Sequence, residues 1–324
     1  MKVVIPMAGM STRLRPSTHV THKVLMNIAG KPIINHIIDE IEKTEKIDEV
    51  IFILGLLGEQ VMDYMGKNYD HIKKSYVYQK ERKGDAHAIL QTEHLIGGPF
   101  LIVFCDTAFK GKLEFDKDCS ASLAVAETDT PERFGIVQLN DKGLITKIVE
   151  KPKEPPSNLA LIGMYHINDH KKLFEAIKEI IRKDITLKGE YYLANALQMM
   201  ITQGEKIKTF RVEKWLDTGK VETLLDTHRE LLKEYNRKVD ADAKITDPVY
   251  INNNVTIENS MIGPYVTINN GAKIKNSRIE NSIIDNNTII EDCTLRDSII
   301  GKETTIKNFH GKLHIADHTT IESQ

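Results

Sequence analysis

The chain has 324 residues, with 44 Lys plus Arg against 46 Asp plus Glu and a formal net charge of -2. At ~100 to 200 residues per domain that is enough for two domains; the near-neutral charge gives no counter-ion argument for a nucleic-acid or anionic-membrane partner. No apolar run approaches the ~20 residues of a membrane-spanning helix. Cys105, Cys119 and Cys293 are widely spaced and odd in number, which argues against a disulfide framework or a zinc site. Met1-Lys2-Val3-Val4-Ile5-Pro6 meets Ala8-Gly9 without the long apolar stretch of a secretory signal, so a cytoplasmic protein is expected.

Val3-Val4-Ile5 reads as a short buried strand followed by a Gly-containing turn. Ile33, Ile34, Ile37, Ile38 and Ile41 then fall at helical spacing within Lys31 to Thr44, and Val50 to Leu54 is an apolar run of strand length. Together they make one βαβ unit with the usual right-handed crossover. A helical stretch from Ala86 to Leu95 leads into a strand from Phe100 to Phe104 that ends at Cys105-Asp106. A carboxylate just past the carboxyl end of a buried strand lies where open α/β sheets bind ligands. Next come strands over Ala121 to Glu127, Ile136 to Leu139 and Leu144 to Glu150, the last two joined by the hairpin-type turn Asn140-Asp141-Lys142-Gly143. Helices are expected over Asp169 to Arg182 and Tyr191 to Gln203, then a strand from Lys206 to Val212. A boundary helix after Gly219 has its face traced by Val221, Leu224, Leu225, His228, Leu231, Leu232 and Tyr235.

From Val249 a repeat replaces the helical spacing. Ile257, Ile262, Ile268, Ile274, Ile279, Ile284, Ile290, Leu295, Ile300 and Ile306 follow one another at five or six residues, and every third is 16 or 17 apart. Two residues before each stands a small or β-branched residue, such as Ser260, Val266, Ser277, Ser282, Cys293 or Ser298, on the same face of a period-two strand. Three short strands per coil with stacked inward side chains describe a parallel β-helix of triangular cross-section. The spacing closes at three, which a meander of hairpins does not require. Eleven Asn residues between Val249 and Asn308, with Gly263, Gly271 and Gly301, suit left-handed backbone at the corners.

The first turn, Ile5-Pro6-Met7-Ala8-Gly9-Met10-Ser11-Thr12-Arg13-Leu14-Arg15-Pro16, offers backbone N-H groups and cationic side chains to an anion, with Lys23 close behind. By itself it reads equally as a phosphate cradle and as a solvated basic turn. It contains neither the dinucleotide fingerprint nor a Walker A loop. Ala8-Gly9, Thr12-Arg13-Leu14-Arg15-Pro16, Lys23 and Gly30-Lys31-Pro32 together resemble the signature of the sugar-1-phosphate nucleotidylyltransferases. The likeness continues in family order through Gln79, Gly84-Asp85-Ala86-His87, Phe104-Cys105-Asp106, Arg133-Phe134-Gly135, Val149-Glu150-Lys151-Pro152, Gly163-Met164-Tyr165, Gly189-Glu190-Tyr191 and Trp215-Leu216-Asp217-Thr218-Gly219. It covers residues 1 to about 235, and the family often carries a C-terminal left-handed β-helix.

The resemblance implies an α/β fold: a Rossmann-like mixed-sheet nucleotidyltransferase domain over residues 1–240, then a short left-handed β-helix over 241–324. It implies coupling of a nucleoside triphosphate, dTTP or UTP, to a hexose 1-phosphate such as glucose 1-phosphate, giving a nucleotide sugar and pyrophosphate. Arg13, Lys23 and Lys151 would be the catalytic cations. Ala8, Gly9, Met10, Ser11, Thr12, Arg13, Gln79, Gly84, Asp85 and Asp106 would bind the nucleotide. Gly135, Glu150, Lys151, Gly163, Tyr165 and Glu190 would bind the sugar phosphate. Asp106 and Asp217 would hold Mg2+, a hard cation suited to few carboxylates and several phosphate oxygens; each could instead be a helix N-cap. Three alternatives stand beside this reading: a mannose-1-phosphate guanylyltransferase, acyl transfer on the β-helix, and a non-catalytic assembly subunit of the same fold. His310, His314 and His318 are expected to be solvated in the terminal part of the repeat, and the repeat itself to serve homo-oligomerisation. The chain departs from the common family pattern in a signature loop one residue shorter at Met10-Ser11, in His22-Lys23-Val24 and in Ala194-Asn195.

Overall fold

The computed structural model describes residues 1–235 and 242–323. The domain boundary expected at 240/241 lies outside the described residues. The chain forms two compact units, Met1–Met10 with Ile37–Trp215, and Ser11–His36 with Leu216–Gln324.

The first unit is built on a mixed sheet. Its strands in chain order are β1 (Lys2–Pro6), β2 (Glu49–Leu54), β3 (Lys73–Tyr78), β4 (Phe100–Val103), β5 (Ala121–Glu127), β6 (Gly135–Leu139), β7 (Ile145–Glu150), β8 (Leu159–Ile167) and β9 (Ile207–Phe210). The path β4-β1-β2-β3 is parallel, with Val4 opposite both Ile51 and Ile102. β8 runs antiparallel to β4, β5 and β6, and β7 closes the hairpin with β6. Near-continuous apolar runs at Val3–Ile5, Val50–Leu54 and Phe100–Val103 are wholly buried, as strands covered on both faces must be. Helices α3 (Asp85–Leu90), α4 (His170–Arg182) and α5 (Leu193–Thr202) pack on the sheet through Ile89, Phe174, Ile177, Leu197 and Met200.

Most expected elements are present within a few residues, including α1 (Ile33–Glu42) and α6 (Val221–Leu232). The expected helix over Ala86 to Leu95 is divided: α3 stops at Leu90, the Thr92 hydroxyl donates to the Ile89 carbonyl at 2.7 Å, and a separate 3-10 turn covers Glu93–Leu95. A back-bonding threonine offers the chain an alternative to the next helical turn. Sequence reading missed α2 (Gly58–Asn68), whose only buried apolar side chains are Val61 and Met65. It also missed edge strand β3, whose alternation is largely polar, and β8, where Gly163 interrupts the pattern.

In the second unit, short parallel strands wind as a left-handed β-helix with three faces. Thr256–Ile262 turns a corner: Ile257 pairs with Ile274 on one face, and Ile262 with Ile279 on the next. The third face stacks Val249–Ile251, Val266–Ile268, Ser282–Ile284, Ile299–Ile300 and His314–Ile315. Isoleucines of the repeat fill the inside. The small positions also link the coils: Ser277 N donates to Ser260 Oγ, Cys293 N to Ser277 Oγ, and Ser298 N to Ser282 Oγ, all near 3.0 Å. Residues with positive φ stack at the corners, with Asn259, Asn276, Asp292 and Asn308 in one column. Side-chain hydrogen bonds run up that column from Asn259 to Asn276 to Asp292. Asparagine is favoured there because it tolerates left-handed backbone and can bond to the coil above.

Candidate active site

The six expected sugar-side residues all lie in the first unit: Gly135, Glu150, Gly163 and Tyr165 on the antiparallel strands β6, β7 and β8, Lys151 just after β7 and Glu190 before α5. Met7 N donates to the Ile53 carbonyl at 2.9 Å, which carries β1 into the Ala8-Gly9 turn. A Cβ on Gly55 would stand 2.6 Å from the Ala8 carbonyl oxygen, so the turns after β1 and β2 approach too closely for any side chain. Sequence reading did not single out Gly55. Asp106 follows β4 and precedes the short strand Thr107–Lys110, so it is not a helix cap.

On the sugar side of this unit the expected charged residues contact one another. The Lys151 ammonium lies 3.0 Å from Glu150 Oε1 and 3.2 Å from the Tyr192 hydroxyl, and sits 4.3 Å over the Tyr192 ring. The Tyr192 hydroxyl in turn donates to Glu190 Oε2 at 2.8 Å. Burial opposes the Lys151 charge, yet Glu150 and Tyr192 outweigh it and raise its pKa. A positive charge is thereby held ready for an anion. Tyr192 was not singled out in the sequence; its only signal was its place after the Gly189-Glu190-Tyr191 run.

Gly135 lies opposite Glu150, where a Cβ would come 3.0 Å from the carboxylate. Gly163, at φ +77, would put a Cβ 2.6 Å from Thr107 Oγ1, and its carbonyl accepts from Phe104 N at 2.8 Å. Tyr165 is buried beside Phe104, and burial, followed by the fields of Asp85, Glu150 and Asp106, raises its hydroxyl pKa well above the ordinary value. Asp85 accepts from Leu193 N at 2.6 Å; burial pushes its carboxyl up to about 7, with Glu150 adding to the shift. Gln79 Nε2 donates to the Gly84 carbonyl at 2.9 Å. Gly84, at φ +99, lies under the Tyr191 backbone, leaving 2.3 Å for a Cβ. Gln79, Gly84, Asp85, Asp106, Gly135, Glu150, Lys151, Gly163, Tyr165 and Glu190 therefore belong to one unit and, where contacts or fields are recorded, to one neighbourhood.

Of the residues expected at the phosphates and the metal, Ser11, Thr12, Arg13, Lys23 and Asp217 lie in the second unit, whereas Ala8, Gly9, Met10 and Asp106 lie in the first. Ser11 is left-handed at φ 47 and opens three single-turn 3-10 helices, Thr12–Leu14, Ser17–His19 and Lys23–Leu25. Its carbonyl accepts from Leu14 N at 3.0 Å and from the Thr18 hydroxyl at 2.9 Å. Arg13 and Arg15 point to solvent, whereas Lys23 is only 5% exposed. Asp217 Oδ1 accepts from Gly219 N at 2.7 Å, and its carbonyl accepts from the Thr227 hydroxyl at 2.8 Å. The cap of α6 is Lys220, so Asp217 is not a helix cap either. Among the described residues no group of three or more His, Cys, Asp or Glu side chains forms a ready-made metal cage. A Mg2+ site does not require such a cage, because Mg2+ takes one or two carboxylates and completes its shell with water and phosphate oxygens. Among the described residues no helix is long and apolar enough to cross a membrane.

Comparison with known proteins agrees with this geometry. Residues 2–234 match the nucleotidyl transferase family. The low-salt glycan biosynthesis nucleotidyltransferase Agl11 of Haloferax volcanii is 31% identical over 94% of both chains. The UTP–glucose-1-phosphate uridylyltransferase AglF of the same organism is also 31% identical, matching 72% of this chain and 98% of its own. A UDP-glucose pyrophosphorylase solved with UDP-glucose superposes with a TM-score of 0.61 at 26% identity, again over 72% of this chain and 98% of that one. A match over residues 2–234 and relatives at 31% identity show that the chain belongs to the nucleotidyl transferase family, whose members generally use a divalent metal ion, and is a sugar-1-phosphate nucleotidyltransferase.

Proposed function

We propose that the protein couples UTP or dTTP to glucose 1-phosphate. An oxygen of the sugar phosphate attacks the α-phosphorus of the triphosphate, the bond to the bridging oxygen of the β-phosphate breaks, and pyrophosphate leaves. No covalent enzyme intermediate is needed, so positioning and charge neutralisation carry the rate. The single observation that supports the reading best is the chain Glu150–Lys151–Tyr192–Glu190: a cation for the phosphate beside two carboxylates able to accept hexose hydroxyls. The named relatives favour it over the guanylyltransferase and non-catalytic alternatives.

In this reading Arg13 grips the β- and γ-phosphates and stabilises the leaving pyrophosphate, and Lys23 contacts phosphate near the reacting centre. Lys151 takes the phosphate of the incoming sugar. Backbone groups from Ala8 to Thr12, with Gln79, Gly84 and Asp85, receive the nucleotide. Gly135, Glu150, Gly163, Tyr165 and Glu190 line the sugar side. Asp106 and Asp217 would hold Mg2+, which supplies positive charge to the phosphates when bound. We assign these roles to a nucleotidyltransferase domain over 1–240, with the β-helix of 241–324 serving homo-oligomerisation in the cytoplasm. Met261 and Ile289, exposed on the coils at 43% and 39%, are apolar points for such packing.

The test is pyrophosphate release with Mg2+ across ATP, GTP, CTP, UTP and dTTP against glucose, mannose, galactose and N-acetylglucosamine 1-phosphates. A dominant UTP or dTTP with glucose 1-phosphate is expected. Preference for GTP with mannose 1-phosphate would overturn the assignment of substrates, and silence from folded protein would overturn the activity.

A further inference from the structure

One face of the β-helix differs from the other two. On the open faces, residues flanking each inward isoleucine are mostly exposed, as in Lys273-Ile274-Lys275 and Thr294-Leu295-Arg296. On the third face the outward positions Thr267, Ile283 and Ile299 are 0%, 3% and 4% exposed. The contacts recorded beside this face come from residues 17–30 and from α6. The Ser17 hydroxyl lies 3.0 Å from His314 Nε2, the Thr21 hydroxyl donates to Asp317 Oδ2 at 3.0 Å, and Asn27 Nδ2 donates to Asp285 Oδ1 at 3.0 Å. Gly30 lies flat on Tyr250, with no more than 2.3 Å left for a Cβ. Ala29 N donates to His228 Nδ1 at 3.2 Å, and His228 Nε2, 3.3 Å from the Tyr265 carbonyl, carries the matching proton back to the β-helix.

The covering segment is the basic signature stretch. Its three 3-10 turns have three residues each, too short to hold themselves. Its anchors Ser17, Thr21 and Asn27 bracket the buried Lys23, and Ser17 lies four residues after Arg13. His314, expected to be solvated, is instead half-buried against Ser17, while His310 and His318 are exposed as expected.

We propose that Asp285, His314 and Asp317 of the β-helix are positioning residues for nucleotidyl transfer: by fixing Ser17, Thr21 and Asn27 they set where Arg13 and Lys23 meet the triphosphate. This rests on the phosphate roles proposed above for Arg13 and Lys23. The uridylyltransferase relative is matched over 98% of its length by 72% of this chain. Fastening the signature segment to the β-helix is thus a feature added to the shared catalytic part.

The experiment uses the full chain with Asp285→Ala and Asp317→Ala, singly and combined. Asp285→Asn and Asp317→Asn are conservative rescues that keep an acceptor oxygen. Asp292→Ala is the control, removing a comparable Asn–Asp contact at an open corner. The combined alanine variant is expected to raise KM for the triphosphate about tenfold or more, as displacement of a distant support can. KM for the sugar phosphate should stay close to wild type, and the Asn variants should recover most of the loss. Amide hydrogen exchange over residues 17–30 should accelerate in the alanine variants and not in the control. Unchanged triphosphate KM and unchanged exchange would overturn the inference, as would an equal rise in both KM values. If wild type turns over no substrate pair, the functional reading fails and exchange alone decides the fastening: acceleration supports it, no change overturns it. Should the combined variant fold poorly, Thr21→Ala with Asn27→Ala breaks the same contacts from the segment side.

Discussion

The sugar-side cluster of the first unit and the phosphate-side segment of the second are organised in opposite ways. In the first, the functional groups bond to one another: Lys151 to Glu150 and Tyr192, and Tyr192 to Glu190. In the second, the segment that carries Arg13 and Lys23 is fastened through Ser17, Thr21 and Asn27, whose partners lie 258 to 297 residues away in the chain. Direct pairing makes a site robust but costs charge, because each partner neutralises part of what the substrate needs. Indirect placement transfers the cost of ordering to a separate scaffold.

This contrast can be broken at several points. The largest effect is expected from Asp106→Asn, which removes charge with little change in volume. Turnover should fall to background in a Mg2+-dependent pyrophosphate assay while the thermal midpoint stays near wild type; near-normal activity would remove Asp106 from the metal role.

Next is the response to pH, which should differ in sign between the units. His228 of the second unit is fully buried, and burial lowers its pKa to about 3. Its contribution to stability is present above the ordinary histidine value and is lost as pH falls through 3, by up to ~4 kcal/mol. Asp85 of the first unit, raised to about 7, behaves oppositely: its contribution is complete below the ordinary Asp value and is lost as pH rises through 7. Residue-resolved hydrogen exchange between pH 4 and 8 should show the second unit opening more readily at the acid end and the surroundings of Asp85 at the alkaline end. A uniform response of both units would contradict the assignment.

Smaller and sharper is a pair of substitutions on the β-helix. Ile299→Ala on the covered face should cost ~2 to 4 kcal/mol by creating a cavity. Ile289→Ala on an open face should stay within ~0.5 kcal/mol. Denaturant midpoints measure both, and equal losses would mean that the third face is not distinctively covered.

The same contrast explains what the sequence made legible. Gly84-Asp85, Glu150-Lys151, Gly163 and Glu190 could be singled out because each stands in a short run that resembles a family motif. The 16- or 17-residue spacing also revealed the coils, since stacking demands an inward side chain at each turn. Tyr192 escaped because a tyrosine beside a helix start carries no signal of the lysine it will meet. Gly55 escaped because a close approach between two turns leaves no periodicity. The anchoring of Ser17, Thr21 and Asn27 was hidden for a stronger reason: a serine in a 3-10 turn and a histidine about 300 residues later share nothing until both are folded. The covered face was hidden as well, because Ile283 and Ile299 read simply as further β-branched residues in a strand.

A β-helix is ordinarily indifferent to its own length, since a coil can be inserted or removed and the stack closes again. Here Asp285 and Asp317 grip one segment from different levels of the stack. An inserted coil between them would shift one grip by ~4.8 Å relative to the other. The solenoid acts as a ruler, and drift in coil number, tolerable elsewhere along it, would between these two aspartates be read out as a misplaced arginine and lysine.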